Sequence, residues 1–350
     1  MARAVQAAAA AMRRGFSSAV PSSSICVASH AWQCGARYKH VAAAASNTTS
    51  TNEVAVSTVR DMPGAPSDPP RRSVQVAGHT VVYTDAGGSS SDGSGAIVVG
   101  VHGAPGSTWD WRWLGAAIEG AGCRMIRLDL PGHGGSSEGA VAGPSAAAMA
   151  DAVWDTLAAL PGVTPASRFV FVGHSLGIDT VLTLAAKRHA ATAGVALVNP
   201  VGLRPHHAIR PWWFVSAIAR ALERPVGVAL LARPLWLLFT AGYGFPRRTS
   251  VAEVVWCQRR VGARDFDALR VAADAVAGAR IPSLLAYATD DALVEPAVPQ
   301  ELAAVLRPTR TLRFAHGGHY LQKEHAAALG REIVALARGA PPYTPPSRLH

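Results

Sequence analysis

Phe169-Val170-Phe171-Val172-Gly173-His174-Ser175-Leu176-Gly177-Ile178 is the stretch on which the fold turns. Four apolar residues read as a buried strand, a G-x-S-x-G pentapeptide follows at once, and Ile178 to Lys187 has the composition of a helix. A serine on so short a strand-to-helix connection is forced into a tight, strained turn. Glycines on both sides leave room for the backbone, the hydroxyl projects above the sheet, and the first helical turn offers amide donors to a developing negative charge. The pentapeptide by itself is permissive. Gly135-Ser136-Ser137-Glu138-Gly139 also fits it, but no strand precedes that match and no helix follows it, so it reads as a loop.

Outward from Ser175 the chain alternates between strand and helix patterns. Ala96 to Val101 is a continuous apolar run, a buried strand that ends at His102-Gly103-Ala104-Pro105-Gly106-Ser107. Trp109 to Ala121 reads as a helix, Arg124 to Leu130 as a strand and Ser145 to Leu160 as a helix; Val195 to Val198 is the strand after the serine helix. Further on come strand Ser283 to Ala288, helix Val298 to Leu306, strand Thr311 to Phe314 and helix Gln322 to Arg338. Ser73 to Val76 and Thr80 to Thr84, separated by Ala77-Gly78-His79, form an N-terminal antiparallel hairpin. The expected fold is α/β, a mostly parallel, doubly wound sheet with that hairpin at its start. Residues 201–280 carry no strand pattern but many aromatic residues, and read as a helical lid inserted above the carboxyl ends of the strands. The division is then a core of 73–200 and 281–338, a lid of 201–280, a Pro-rich linker of 53–72 and a tail of 339–350.

Composition limits what this fold can serve. A chain of 350 residues with 49% hydrophobic residues buries a large core in one or two domains. The formal charge of +10 raises the question of nucleic acid, yet residues 1–52 hold no Asp or Glu and carry Arg3, Arg13, Arg14, Arg37 and Lys39. Half the excess charge therefore sits in a leader, the remaining arginines are scattered, and no nucleic-acid-binding motif is present. An acid-free, Ala-, Ser- and Arg-rich leader has the composition of an organellar transit peptide, and Arg14-Gly15-Phe16-Ser17 resembles a mitochondrial processing site. The expected location is mitochondrial, with plastid or cytoplasm as alternatives. Cys26, Cys34, Cys123 and Cys257 have no metal-ligand spacing and make no disulfide framework, so neither metal nor cofactor is expected. The apolar run Pro225 to Phe245 is interrupted by Arg233 and Pro234, which argues against a transmembrane segment and leaves peripheral membrane contact through the lid. Nothing in the sequence specifies an oligomeric state.

Four motifs together resemble the α/β-hydrolase superfamily: His102-Gly103-Ala104-Pro105-Gly106-Ser107, Asp129-Leu130-Pro131-Gly132-His133-Gly134, the serine elbow at 173–177, and Gly318-His319-Tyr320. The resemblance covers nearly everything from Ser73 to Arg338. Asn199-Pro200-Val201-Gly202-Leu203-Arg204-Pro205-His206 is similar to a little-characterised, lid-bearing branch and brings no substrate with it. A serine hydroxyl needs a base within hydrogen-bond reach and a third group to orient that base. The superfamily pattern places the acid at Asp291, 291 − 175 = 116 residues after the serine, with Asp290 as the alternative. It places the base at His319, which precedes an aromatic residue, with His316 as the alternative. The resemblance further implies an oxyanion hole from the backbone NH groups of Leu176 and Ala104, since Pro105 has no amide hydrogen.

The expected activity is that of a metal-independent serine hydrolase cleaving an ester or thioester through an acyl-enzyme. Hydrolysis of a carbon-carbon bond by the same residues, or a catalytically silent binding protein on this fold, are the alternatives. Epoxide hydrolysis and dehalogenation are disfavoured, because those branches normally place a carboxylate where Ser175 stands. Candidate pocket residues are His174 in the elbow and Trp212, Trp236 and Phe239 in the lid, and lid arginines beside this aromatic bulk suit a small-molecule apolar acyl substrate with an anionic end. Two features near the serine carry expectations of their own. Ile178, where a small residue is usual, predicts relaxed helix-sheet packing, and Asp179, favourable to the helix dipole, sits close enough to repel anionic substrates.

Overall fold

The computed structural model describes residues 53–56, 66–88, 95–139, 143–243 and 245–340. The expected leader of 1–52 and the tail from 341 onward lie outside the described residues.

Among the described residues nine strands make one sheet: β1 (Glu53–Val56), β2 (Arg72–Val76), β3 (His79–Ala86), β4 (Ile97–Val101), β5 (Met125–Leu128), β6 (Phe169–His174), β7 (Thr192–Val198), β8 (Ser283–Ala288) and β9 (Arg310–Phe314). Their order is β1-β9-β8-β7-β6-β4-β5-β3-β2. β3 runs antiparallel to β2 and to β5, and every other pairing is parallel. The parallel strands β4, β6 and β8 are buried at every position, as expected where helices cover both faces. Alternate side chains serve opposite faces. Ile97, Val99, Val101, Phe169 and Phe171 join one apolar cluster, while Val98, Val170 and Val172 join the other. Each such fully buried side chain stabilises the fold by about 2 kcal/mol relative to its exposed state.

The first cluster is covered by α2 (Ala146–Ala159), α3 (Gly177–Lys187) and, further along, α8 (Ala297–Leu306). The second is covered by α1 (Arg112–Gly120) and α10 (Ala326–Ala337), which pack against each other. β5 lies on one side of β4 and β6 on the other, so the chain reverses its direction of travel across the sheet at β4. The loops after β4 and after β6 are therefore neighbours at the carboxyl ends of their strands, with a crevice between them.

The insertion contains α4 (Trp212–Ala221), α5 (Pro225–Leu237), α6 (Val251–Gly262) and α7 (Phe266–Gly278), with no strand among its described residues. α5 continues into a π-helical turn, Leu238–Gly242. Together they form an 18-residue stretch, Pro225–Gly242, long and apolar enough by length and composition to cross a membrane. Its inner face is nonetheless occupied, since Ala232, Leu235 and Phe239 join Leu222, Val254, Val255 and Cys257 in a cluster of the lid's own. α7 differs from its neighbours: Leu269, Ala272, Ala273 and Val276 enter the main core, and the helix packs on α3. The roof over the sheet is thus α4 to α6, and α7 belongs to the helical layer beneath it.

Three further differences from expectation have local causes. Glu53–Val56, read as part of a linker, is an edge strand parallel to β9. Four residues are too short a pattern to stand out beside Pro-rich chain, and their partner lies more than 250 positions away. The helix expected over 322–338 is split into α9 (Leu321–Glu324) and α10 at His325, whose ring donates to the His316 carbonyl at 2.7 Å. Finally, the junction of α3 with the sheet is tight rather than relaxed. Ile178 is fully buried, a Cβ on Gly173 would lie 3.0 Å from the Ile178 Cα, and one on Gly177 would lie 2.7 Å from the His102 carbonyl. The two elbow glycines, not the residue after them, supply the clearance.

Candidate active site

Ser175 stands where β6 gives way to α3, with φ of +51°. That left-handed conformation is strained for a residue with a Cβ, and it is held because the Ser175 amide donates to the Val198 carbonyl at 3.1 Å while its own carbonyl accepts from Ile178 at 3.2 Å. The hydroxyl is 2.9 Å from His319 Nε2, and His319 Nδ1 is 2.7 Å from Asp291 Oδ2. Ser175, His319 and Asp291 thus meet through hydrogen bonds spanning 144 and 28 sequence positions. An acid accepting from Nδ1 fixes the tautomer that leaves Nε2 free to take the hydroxyl proton.

The acid is prepared by its turn. Burial alone would raise the Asp291 carboxyl, but the His319 ring and the amides of Leu293 and Val294, which donate to Oδ1 at 2.9 and 3.2 Å, outweigh burial and hold it below the ordinary value of 3.8. The neighbouring candidates do other work. Asp290 accepts from the amides of Gly318 at 2.8 Å and Gly317 at 3.3 Å, shaping the histidine loop, and the exposed His316 ring lies 3.6 Å from it. Asn199, which the sequence marks only as the start of the 199–206 motif, ties the loop down. Its side chain donates to the Gly318 carbonyl at 2.8 Å and accepts from the Ala288 amide at 2.9 Å, joining the ends of β7 and β8 to the histidine loop. Only its place directly after a strand hinted at this.

His174 lies beneath the pair. Its Nε2 donates to the His319 carbonyl at 2.7 Å, and burial, then the nearby His319, lower its pKa to about 3. It is a neutral ring that props the base from below. The loop after β4 approaches from the other side, where a Cβ on Gly103 would lie 3.0 Å from the Ser175 Cβ. The Gly103 carbonyl accepts from His102 Nδ1 at 2.7 Å, and His102 Nε2 accepts from the Leu130 amide at 2.9 Å. In the trans peptide between Gly103 and Ala104 the N–H points opposite to the carbonyl, hence away from His102. Leu176 is the N-cap of α3, so its amide has no intrahelical acceptor.

These groups open onto a cavity of about 450 Å³, whose apolar wall includes Phe214, Ile218, Leu231, Leu235, Phe239 and Val261. Polar groups at its wall are few, among them His206, Gln258, Arg264 and Tyr320 beside Ser175 and His319. His174 and Phe239 are among the residues that line it. Trp212 and Trp236 are not. Trp212 turns its ring edge-on to Phe266 at 5.1 Å, and the Trp236 indole N–H donates to the Thr249 carbonyl at 2.8 Å, so both serve the lid's own packing. Asp179 also departs from expectation: Arg264 grips it with two hydrogen bonds of 2.7 and 3.1 Å, so a guanidinium balances the charge expected to repel anions. The second serine pentapeptide is a loop, in which Ser136 donates to the Asp129 carbonyl at 2.6 Å. Among the described residues no group of three or more His, Cys, Asp or Glu side chains is arranged to hold a metal ion.

The model of a family described as "Alpha/beta hydrolase family" matches residues 98–332. The candidate carbamate hydrolase RutD of Variovorax paradoxus (strain S110) is 32% identical over 269 residues, covering 73% of this chain and 96% of that protein. Among solved structures, haloalkane dehalogenase DbeA from Bradyrhizobium elkani USDA94 superposes with a TM-score of 0.61 at 24% identity, covering 78% of this chain and 98% of that one. A thermophilic esterase from Thermogutta terrifontis gives a TM-score of 0.58 at 18% identity, covering 77% and 98%. At such identities the two structures speak for the fold alone.

Proposed function

The chain belongs to the alpha/beta hydrolase family, and on that premise we propose that it is a serine hydrolase cleaving esters or thioesters of apolar acyl groups through an acyl-enzyme. The observation that carries this reading is the unbroken hydrogen-bonded line from Ser175 Oγ through His319 to Asp291. Ser175 Oγ attacks the acyl carbon as His319 Nε2 takes its proton, and the carbonyl π pair moves onto oxygen. The amides of Ala104 and Leu176 receive that oxyanion. Collapse expels the leaving group, which takes the proton from His319, and water then repeats the sequence to release the acid. Asp291 stays ionised throughout and stabilises the imidazolium. Ser175 also separates this site from the carboxylate nucleophile of dehalogenase chemistry.

The cavity supports the acyl side of the proposal. Its wall is mostly aliphatic and aromatic, and carbamate itself, a small anion, would leave most of it unfilled. Turnover of 4-nitrophenyl esters is expected to rise from acetate through octanoate, each methylene contributing about 0.8 kcal/mol or roughly fourfold in kcat/KM until the cavity is full. A flat profile across that series would remove the apolar-acyl reading, and a strong preference for acyl-CoA over the matched nitrophenyl ester would choose the thioester.

The outer face of the lid suggests where such substrates come from. Val226, Leu230 and Leu237 are 64%, 50% and 56% exposed along one face of α5, and Trp213 is 69% exposed on α4. Leu230 also lines the cavity, so this face borders its mouth. Arg220, Arg224, Arg233, Arg247 and Arg248 of the same insertion are exposed. An apolar strip on an insertion with exposed arginines suits peripheral contact with an anionic lipid surface. The protein is expected to co-sediment with vesicles containing phosphatidylserine, less so at high salt, and Trp213→Ser with Leu237→Glu should lower binding without altering turnover of a soluble butyrate ester. Equal binding to vesicles by that double variant would sink the idea.

A further inference from the structure

The last turn of α6 and the chain just beyond it present two buried arginines to the core four residues apart, Arg260 inside the helix and Arg264 after its end. Arg264 grips Asp179 in the first turn of α3 and donates to the Gly202 carbonyl at 2.7 Å. Arg260 goes elsewhere. It is 4% exposed, and its hydrogen-bond partners are neutral: the Gly103 carbonyl at 3.4 Å and His133 Nε2 at 3.3 Å. His133 Nδ1 in turn donates to the Pro131 carbonyl at 3.1 Å. Burying a guanidinium whose hydrogen-bond partners are neutral is costly, and the nearby Asp179 carboxylate, itself held by Arg264, offsets only part of that cost. Burial lowers its pKa to about 10, which still leaves it charged near neutrality. The same charge, added to their own burial, keeps His102 and His133 neutral, His102 at about 4.

We propose that Arg260 is a positioning residue for the oxyanion-binding amide of Ala104, and that seating of the lid helix α6 on the core sets the direction and strength of that donor. The inference rests on the serine-hydrolase reading above. The Gly103 carbonyl and the Ala104 N–H belong to one peptide plane. His102 and Arg260 hold the carbonyl, so they hold the N–H pointing the opposite way. A cation on the carbonyl oxygen also polarises the peptide, which strengthens its N–H as a donor in a dry site. Arg260 does not line the large cavity, and it acts through the peptide rather than on the substrate. With Leu176, Asp179 and Arg264 it lines instead a separate small space of about 10 Å³. The end of α6 and the residues just after it thereby reach both sides, Arg260 the Gly103 carbonyl and Arg264 the Asp179 carboxylate in the first turn of the helix that Leu176 caps.

The test compares the full-length protein with Arg260→Met and Arg260→Lys, using 4-nitrophenyl butyrate and an alkyl trifluoromethyl ketone. The ketone carbon bonds to Ser175 Oγ, its π pair becomes an oxyanion, and the serine proton passes to His319, so the adduct reports on the amides directly. For Arg260→Met, kcat is expected to fall roughly 10- to 100-fold with KM within about twofold of wild type, and the ketone inhibition constant to rise by the same factor as kcat falls. Inhibition by the matching alcohol, which develops no oxyanion, should not change. Arg260→Lys keeps the charge and should recover part of the loss. Should the methionine variant not fold, the lysine variant carries the test, with kcat expected to fall roughly three- to tenfold. Unaltered kcat and ketone affinity, or loss confined to KM, would overturn the proposal. Wild-type protein that a fluorophosphonate fails to label at Ser175 would instead remove the serine-hydrolase reading itself.

Discussion

Ser175→Ala is expected to lower kcat by about a millionfold and to abolish labelling by a fluorophosphonate probe, the largest effect available from one atom in this chain. The loss is large because, on the proposed reading, the hydroxyl is the attacking atom, and His319 Nε2 lies 2.9 Å from it to take its proton. Residual turnover above the rate in water would come from the amides and the cavity, which the substitution leaves in place. The fold should survive, because the Ser175 hydroxyl bonds only to His319 among the described residues and the turn is held by main-chain contacts. Labelling that persists in the alanine variant would mean another nucleophile.

Asp291→Asn should cost about 10⁴ in kcat while leaving KM close to wild type. The amide keeps the size of the side chain but presents an N–H or a weaker acceptor to His319 Nδ1, so the ring is no longer held with Nε2 ready to accept the serine proton. Asp291 also links stability to pH. Its folded pKa lies below the unfolded value near 3.8, so the stabilisation it gives is present above that value and is lost as pH falls through the folded pKa. Wild type should therefore lose stability faster than Asp291→Asn below about pH 4, as read by thermal melting at stepped pH. Parallel loss in both proteins would show that the carboxylate is not specially held.

The parts of the site legible in the sequence were those written into contiguous residues. A strand running into Gly173-His174-Ser175-Leu176-Gly177 and on into a helix dictates the turn locally, and Asp291 and His319 each follow a strand in the order a parallel sheet delivers them. What escaped were choices made by tertiary contact. Trp212 and Trp236 have the right bulk for a pocket wall, but an indole N–H in search of an acceptor and a ring edge beside Phe266 turned them into the lid. Arg260 and Arg264 were indistinguishable by composition from the exposed arginines of the same insertion. Nothing short of the packing of α6 and its C-terminal extension on the core reveals that these two are buried, one against the Gly103 carbonyl and the other against Asp179. Asn199 escaped for a similar reason, since its two hydrogen bonds cross 119 and 89 positions.

The edge strand β1 limits how the N-terminus can be trimmed. If residues 1–52 act as an organellar address, the protease that removes it must stop short of Glu53, because Glu53–Val56 supplies the hydrogen-bonding neighbour of Thr311–Phe314. A deeper cut would strip β9 of its cover and leave its main-chain donors and acceptors open to a strand from another molecule. β9 is also the strand from which the His319 loop departs. Over-processing would then appear as self-association and lost turnover in a chain whose three proposed reacting side chains are all intact.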